Sequence, residues 1–191
     1  MNPLYLKILL FCLVPIGFFI LFKGIKLLMN GFNGKVLLEL PYNNRAGLFT
    51  ISKSGTYSIW QKGPLFKKTP VVKFRPRIRN TANHQAIKLH YSILSPRVNG
   101  FSDGRMQLFT FKADTGNYEL ILGAGTSVPS FQNILAKAIP LADIDLEHYF
   151  IQVRQSQSEF VNLLSILIIL LGVGCTVAGF VLGSLADTLI L

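Results

Sequence analysis

The sequence predicts a mainly β fold: a single β-sandwich of jelly-roll or Greek-key type, with about eight strands, inserted between two transmembrane α-helices. Two observations predict this arrangement. Uncharged apolar runs lie near both ends of the 191-residue chain, and short runs rich in β-branched and aromatic residues fill the region between them. We therefore expect two membrane segments and one water-facing domain.

The first apolar run predicts a membrane-spanning helix within residues 1–30. Residues 4–22 would form a helix of about 28 Å, which is close to the ~30 Å hydrocarbon core of a bilayer. The run favours a retained anchor over a cleaved signal peptide, because it lacks small residues at a cleavage site and bulky Leu27, Leu28 and Met29 follow it. Pro15 lies in mid-span, where the loss of one backbone donor predicts a kink.

The second apolar run predicts a second span. Residues 160–186 carry no charged side chain, and their few asparagine, serine and threonine residues are tolerated within a helix. Residues 187–191 would then form a short tail.

The region between the two runs, residues 35–158, has a length that suits one domain with its own hydrophobic core. Eight runs within it are predicted as strands: 35–40, 48–51, 56–61, 71–79, 86–94, 106–112, 118–122 and 149–155. Short strands at this spacing, separated by turn residues, are typical of a β-sandwich. One helix is predicted over residues 131–139, with Ser130 as its N-cap.

A short internal repeat occurs twice within this domain. Residues 48–51 (LFTI) are followed by Gly55 and Tyr57, and residues 108–111 (LFTF) are followed by Gly116 and Tyr118. Each copy predicts a strand, a tight hairpin in which glycine supplies a positive φ, and a second strand that opens with tyrosine.

Basic residues dominate the domain, and the chain carries a formal net charge of +10. Between Glu39 and Asp103 there are eleven basic residues and no acidic one. The densest part, KFRPRIR at residues 73–79, would project its basic side chains from one face of a strand and its apolar side chains from the other. Pro76 cannot donate to a strand ladder, which predicts a sheet edge or a bulge. The predicted anion-binding residues are Lys67, Lys68, Lys73, Arg75, Arg77 and Arg79.

Two interpretations of this basic segment stay open. Charge on an edge strand prevents sheet-to-sheet aggregation, and the segment would then be a solvated edge. A row of like charges is self-repulsive without anions nearby, which favours an anionic partner: a phospholipid headgroup, an acidic glycan or an acidic protein surface. Nucleic acid is disfavoured, because the aromatic side chains of this segment point inward and form no stacking platform beside the arginines.

Small residues form a stripe along the second apolar run, and they are Gly172, Thr176, Gly179 and Gly183. Such stripes let two helix backbones approach closely. The stripe would pack against the first helix of the same chain, or it would recruit another subunit into a homo- or hetero-oligomer.

Catalytic, cofactor and metal motifs are not evident. The densest acidic cluster is Asp143, Asp145, Glu147 and His148, which lacks the glycine turn of an EF-hand and predicts a solvated turn. The three histidines do not have the spacing of a zinc site. Cys12 and Cys175 both fall within the predicted spans, so the domain has no disulfide framework. We predict a non-enzyme that holds no cofactor and no metal.

Two signals disagree about the side of the membrane on which the domain lies. Lys23, Lys26, Lys35 and Arg154 flank the spans on the domain side, and the positive-inside rule then places the domain in the cytoplasm. That rule weakens for long translocated domains, and a sandwich held between two anchors favours an extracytoplasmic site. The chain has no Asn-x-Ser/Thr acceptor, which favours a bacterial or non-glycosylated setting. We predict two spans, both termini on one side, and an extracytoplasmic domain, with a cytoplasmic domain as the alternative.

These features together predict a membrane-anchored binding or accessory protein whose basic face meets an anionic partner at the bilayer surface. A subunit of a membrane complex and an immunity or inhibitor protein both fit this description. The alternative is a membrane enzyme that acts on a lipid or envelope substrate through residues 143–148.

Overall fold

The computed structural model describes residues 3–64, 74–92, 95–101, 103–124 and 146–186. The chain divides into two compact units. One unit is helical and comprises residues 1–33 and 158–191, and the other is β-rich and comprises residues 34–157.

Two helices form the helical unit: α1 (Pro3–Phe32) and α2 (Glu159–Ser184). Both are long and apolar enough to cross a membrane. α1 is longer than the predicted span, because Lys23 and Lys26 are good helix formers and Leu27, Leu28 and Met29 continue the helix to Phe32. Pro15 lies inside α1, which continues on both sides of it.

Ten strands are present in the part of the β-rich unit that the structure describes. They are β1 (Val36–Pro41), β2 (Ala46–Ile51), β3 (Gly55–Pro64), β4 (Phe74–Asn80), β5 (Ala86–Ile87), β6 (His90–Tyr91), β7 (Arg97–Asn99), β8 (Asp103–Ala113), β9 (Gly116–Ala124) and β10 (Phe150–Gln155). The large sheet has the order β1-β10-β3-β8-β6, with β7 also paired to β8, and the small sheet has the order β2-β9-β4-β5. All pairs are antiparallel, so the prediction of a mainly β, sandwich-like fold is confirmed.

The predicted count of about eight strands is too low for two reasons. The run at residues 86–94 contains two short strands instead of one, because β5 pairs with β4 in the small sheet while β6 pairs with β8 in the large sheet. β7 was not predicted, since its three residues show no alternation and gain their pairing only from β8. The helix predicted over residues 131–139 lies outside the described residues.

The hydrophobic core lies between the inner faces of the two sheets. Aromatic and β-branched side chains at alternate strand positions fill it, as the period of two requires. Its most deeply buried members include Ile51, Ile59, Ile78, Phe111, Leu120, Ile151 and Val153.

The repeated segments form arches between the sheets, and the predicted hairpins are wrong. β2 lies in the small sheet and β3 in the large sheet, while β8 and β9 cross in the opposite direction. In each arch the tyrosine hydroxyl donates to the carbonyl four residues upstream, from Tyr57 to Lys53 and from Tyr118 to Asp114. These bonds close each arch without strand pairing. The positive φ predicted for the two glycines is present at Gly116, where φ is 155°, and is absent at Gly55.

Candidate functional site

Three arginines project from the outer face of β4, and we call Arg75, Arg77 and Arg79 the arginine ridge. Pro76 and Ile78, between them, are buried toward the core. This alternation agrees with the period of two that the sequence predicted. Lys67, Lys68 and Lys73, the other members of the predicted site, lie outside the described residues.

The ridge is only partly neutralised. Arg79 donates from Nη2 to Oε2 of Glu119 on β9 at 2.8 Å, and both side chains are partly exposed. Arg75 lies opposite Gly123 and Arg77 opposite Ile121, so neither has a carboxylate beside it on β9. Both are exposed, and within the described parts of the chain neither forms an ion pair or a hydrogen bond through its side chain. Two guanidinium groups that have no partner among the described residues therefore stand side by side, about 6.6–6.8 Å apart at the backbone.

Pro76 lies at a point of β4 where no described strand pairs with it on the β5 side. The Asn80 amide donates to the Gln85 carbonyl at 2.9 Å, on the β5 side of β4. Alternate residues of a strand direct their backbone groups to the same side, so those of Ile78 and Pro76 also point toward β5. β5 pairs only with Ile78 and Arg79. The missing donor of Pro76 consequently breaks no ladder bond among the described strands, and its ring blocks strand addition at this edge.

The outer face of the small sheet is open to solvent. Ala46, Leu48 and Thr50 on β2 are exposed, and Leu48 retains 70% of its accessible surface. Thr50 Oγ1 donates to Asn117 Oδ1 at 2.8 Å across this face. The arginine ridge therefore borders a broad accessible surface.

The outer face of the large sheet is different, because its polar side chains are buried. Ser58 and Trp60 on β3 and Gln152 on β10 retain at most 2% of their accessible surface. Within β3, Trp60 Nε1 donates to Ser58 Oγ at 2.7 Å. Gln152 Nε2 donates to Glu39 Oε2 at 2.7 Å, and Arg154 Nε donates to Gln152 Oε1 at 2.7 Å, so Gln152 links Glu39 to Arg154.

Burial affects the charges on this face. Desolvation lowers the pKa of the Arg154 guanidinium and the nearby Arg105 lowers it further, while Glu39 raises it. Arg105 stacks over the Trp60 ring at 5.6 Å, and Lys62 lies between Glu39 at 3.5 Å and Asp103 at 3.3 Å. Sequence reasoning missed this cluster, because alternate polar residues in a strand read as a solvated face. Its bonds join β1, β3 and β10, which is a structural role.

The acidic cluster can be followed only in part. Glu147 and His148 are exposed in a one-turn 3-10 helix (Leu146–His148), whereas Asp143 and Asp145 lie outside the described residues. Among the residues that the structure places, no group of three or more His, Cys, Asp or Glu side chains could hold a metal ion. The enzyme hypothesis stays a prediction.

The small-residue stripe of α2 faces α1. A Cβ at Gly172 would lie 2.6 Å from the Leu21 nitrogen, and one at Gly179 would lie 2.8 Å from the Leu10 carbonyl oxygen. A Cβ at Gly183 would lie 3.2 Å from the Phe11 ring. Thr176 Oγ1 donates to Gly172 O at 2.8 Å, so its hydroxyl is satisfied within α2. The stripe is therefore occupied by the chain's own first helix, and the two helices run antiparallel.

No protein-family model, curated protein or solved structure matches this chain. The sandwich, the arginine ridge and the helix pair are therefore the basis for a functional proposal.

Proposed function

We propose that this chain is a membrane-anchored binding or accessory protein, and that the outer face of its small sheet contacts an anionic partner at the bilayer surface. The protein would act as a subunit of a membrane complex or as an immunity or inhibitor protein. The two apolar helices would span the membrane and confine the domain to its surface.

The observation that carries this proposal is the pair of unneutralised guanidinium groups on Arg75 and Arg77. A folded domain can neutralise a surface arginine with a neighbouring carboxylate, as it does for Arg79 with Glu119. At Arg75 and Arg77 the neighbouring positions of β9 hold glycine and isoleucine instead. The resulting local positive potential attracts anions and is weakened by salt.

Edge protection explains the ridge less well. Where β4 has no partner among the described strands, the ring of Pro76 already occupies the side on which an added strand would have to bond. One further charge would suffice for that purpose. Two free arginines beside an accessible sheet face favour binding.

The helix pair supports two membrane spans. α1 and α2 are antiparallel and packed through glycines, an arrangement that suits a helical hairpin in a bilayer. Both termini would then lie on one side of the membrane and the domain on the other, and we propose an extracytoplasmic domain. A variant with Cys12→Ala, Cys175→Ala and one cysteine at the exposed Lys112 would test this with a membrane-impermeant maleimide. Labelling of intact cells is expected, and protection until lysis would place the domain in the cytoplasm.

Binding is tested with the full chain in nanodiscs of zwitterionic lipid. The probes are anionic phosphatidylglycerol vesicles, heparin as an acidic glycan, and short acidic peptides. We expect Arg75→Glu with Arg77→Glu to abolish binding of the probe that the native chain prefers, because two favourable charges become two repulsive ones.

The matched control reverses two exposed basic residues of the large sheet, Arg97→Glu with Lys112→Glu, and it makes the same change in net charge. The proposal requires this control to retain most of the binding. Equal losses in the two double variants, or no binding of any probe, would mean that the ridge is a solvated edge.

A further inference from the structure

The surface beside the arginine ridge indicates which class of anion the protein binds. Strand register places Arg77, Ile121 and Ala46 side by side across β4, β9 and β2. The next row on the same face lies two residues along each strand and consists of Arg79, Glu119 and Leu48. Neighbouring strands lie about 4.8 Å apart, so the face from β4 to β2 is about 10 Å wide.

Among the residues of β2, β4 and β9, positive charge lies along one border of this face. Next to the ridge, β9 presents Gly123, Ile121 and Glu119, of which Glu119 is paired with Arg79, and β2 presents Ala46 and Leu48. Leu48 is 70% exposed, although burial of a leucine side chain is favourable in free energy. Gly123 has no side chain, so another molecule can approach its backbone closely. The face is thus a shallow apolar strip bordered by two free guanidinium groups.

The choice of basic residue also distinguishes between partners. β2, β4 and β9 contain three arginines and no lysine. Arginine is enriched at protein–protein interfaces and lysine is depleted, because the guanidinium is planar, weakly hydrated and able to bind a carboxylate through two hydrogen bonds. A membrane surface or an acidic glycan requires positive charge spread over its contact area, and the apolar columns do not supply it.

We infer that this face binds an acidic protein segment, in which carboxylates pair with Arg75 and Arg77 while an aliphatic side chain packs on Ile121 and Leu48, which are diagonal neighbours across β9 and β2. The inference rests on the proposed function and specifies its partner. Charge complementarity would orient the segment along β4, and the apolar strip would supply the buried centre of the contact.

The test compares two peptides of equal length and charge, one alternating glutamate with leucine and one alternating glutamate with serine. Their affinities for the full chain in zwitterionic nanodiscs are measured by fluorescence anisotropy. We expect the glutamate–leucine peptide to bind about tenfold more tightly, since one leucine side chain leaves water. Leu48→Ser should remove that advantage and leave the glutamate–serine affinity unchanged.

Phe101→Ser provides the matched control, because Phe101 is a fully exposed apolar side chain away from these three strands. It should leave the preference for leucine intact. Equal affinities of the two peptides would overturn the inference, as would tighter binding of heparin or phosphatidylglycerol vesicles with no response to Leu48→Ser.

The two proposals fail in different ways. If Arg75→Glu with Arg77→Glu abolishes binding but heparin or the vesicles are the preferred probe, the anionic partner stands and the acidic protein segment does not. If this double variant binds every probe as the native chain does, the proposed function itself is wrong.

Discussion

Arg79 and Glu119 form a 2.8 Å ion pair that joins β4 to β9 and divides the arginine ridge into one neutralised and two free cations. Their side chains come from strands forty residues apart in sequence. The pair fixes the ridge against the adjacent strand, and among the described residues it leaves Arg75 and Arg77 without an ion pair.

Glu119→Gln should strengthen binding of the preferred anionic probe, because it frees Arg79 while the amide keeps the size of the side chain. We expect affinity to rise by about 1.4- to fivefold, from the ~0.2–1 kcal/mol of a partly exposed ion pair, with a steeper dependence on salt. Asp114→Asn is the control, since it removes a carboxylate from an exposed site off the ridge. An equal gain in both variants would attribute the effect to net charge alone.

Gly17→Leu should disrupt the helix pair. A Cβ at Gly17 would overlap Thr176 Oγ1 and would lie 2.6 Å from the Thr176 nitrogen. Overpacking of this kind costs about 1–3 kcal/mol, so we expect a lower thermal aggregation midpoint in mild detergent. Gly174→Leu is the matched control on α2, where a Cβ would meet no atom within 4 Å. If both variants aggregate at the same temperature, the helices do not pack as described.

Gln61→Met should stabilise the β-rich unit. Gln61 is 2% exposed, and in the described part of the chain neither its Nε2 nor its Oε1 has a hydrogen-bond partner. An unpartnered buried amide costs about 1–3 kcal/mol, and methionine has a similar shape without that cost. Urea unfolding of the full chain, followed by the fluorescence of its single tryptophan, Trp60, would measure the gain.

The control for this prediction is Gln152→Met. Gln152 is also 2% exposed, but it donates to Glu39 and accepts from Arg154. The same substitution should therefore destabilise the unit by leaving charged groups without a partner. Equal effects at the two glutamines would contradict the hydrogen-bond pattern.

Tyr57→Phe and Tyr118→Phe should each lower the free energy of unfolding by about 0.5–1.5 kcal/mol, because each removes the hydrogen bond that closes one arch. The rings would keep their packing, since Tyr57 contacts Phe111 and Tyr118 contacts Phe49, both at 5.8 Å. Tyr91→Phe, at an exposed ring, should change stability little. Losses confined to one arch would show that the two copies are not equivalent.

High pH should destabilise the β-rich unit. Burial, with a smaller contribution from Tyr149, raises the pKa of the Tyr42 hydroxyl above the ~10 of an unfolded chain. The contribution of Tyr42 to stability is therefore fully present below about pH 10 and is lost as pH rises toward the folded-state pKa. Urea titrations above about pH 10 should show a shallower decline for Tyr42→Phe than for the native chain. Identical slopes would contradict the raised pKa.

Strand positions could be predicted because they depend on local chemistry. In β3 and β10 the core residues Ile59, Ile151 and Val153 alternate with polar ones, and turn residues bound each run. The alternation in β4 likewise placed the arginines on one face and Ile78 on the other. Local pattern also placed the repeated Gly-Tyr segments correctly, but it could not show that they join two sheets, because a hairpin and an arch have the same local sequence.

The exposure of each sheet face could not be predicted from the sequence. Ser58 and Gln152 alternate with core residues in the same way as Leu48 and Thr50, yet the first two are buried and the second two are exposed. A period of two separates the two faces of a strand but does not determine whether the outer face meets solvent, since burial depends on residues distant in the chain.

By itself, the sequence determined the two apolar helices, the mainly β domain between them and the row of arginines on one strand face, because composition and periodicity act over a few residues. Only the tertiary structure decided that Arg79 is neutralised while Arg75 and Arg77 are free, that the glycine stripe is occupied by α1, and that the ridge borders an apolar strip. Each of these depends on which strand or helix lies alongside, and that register is set by packing between distant segments.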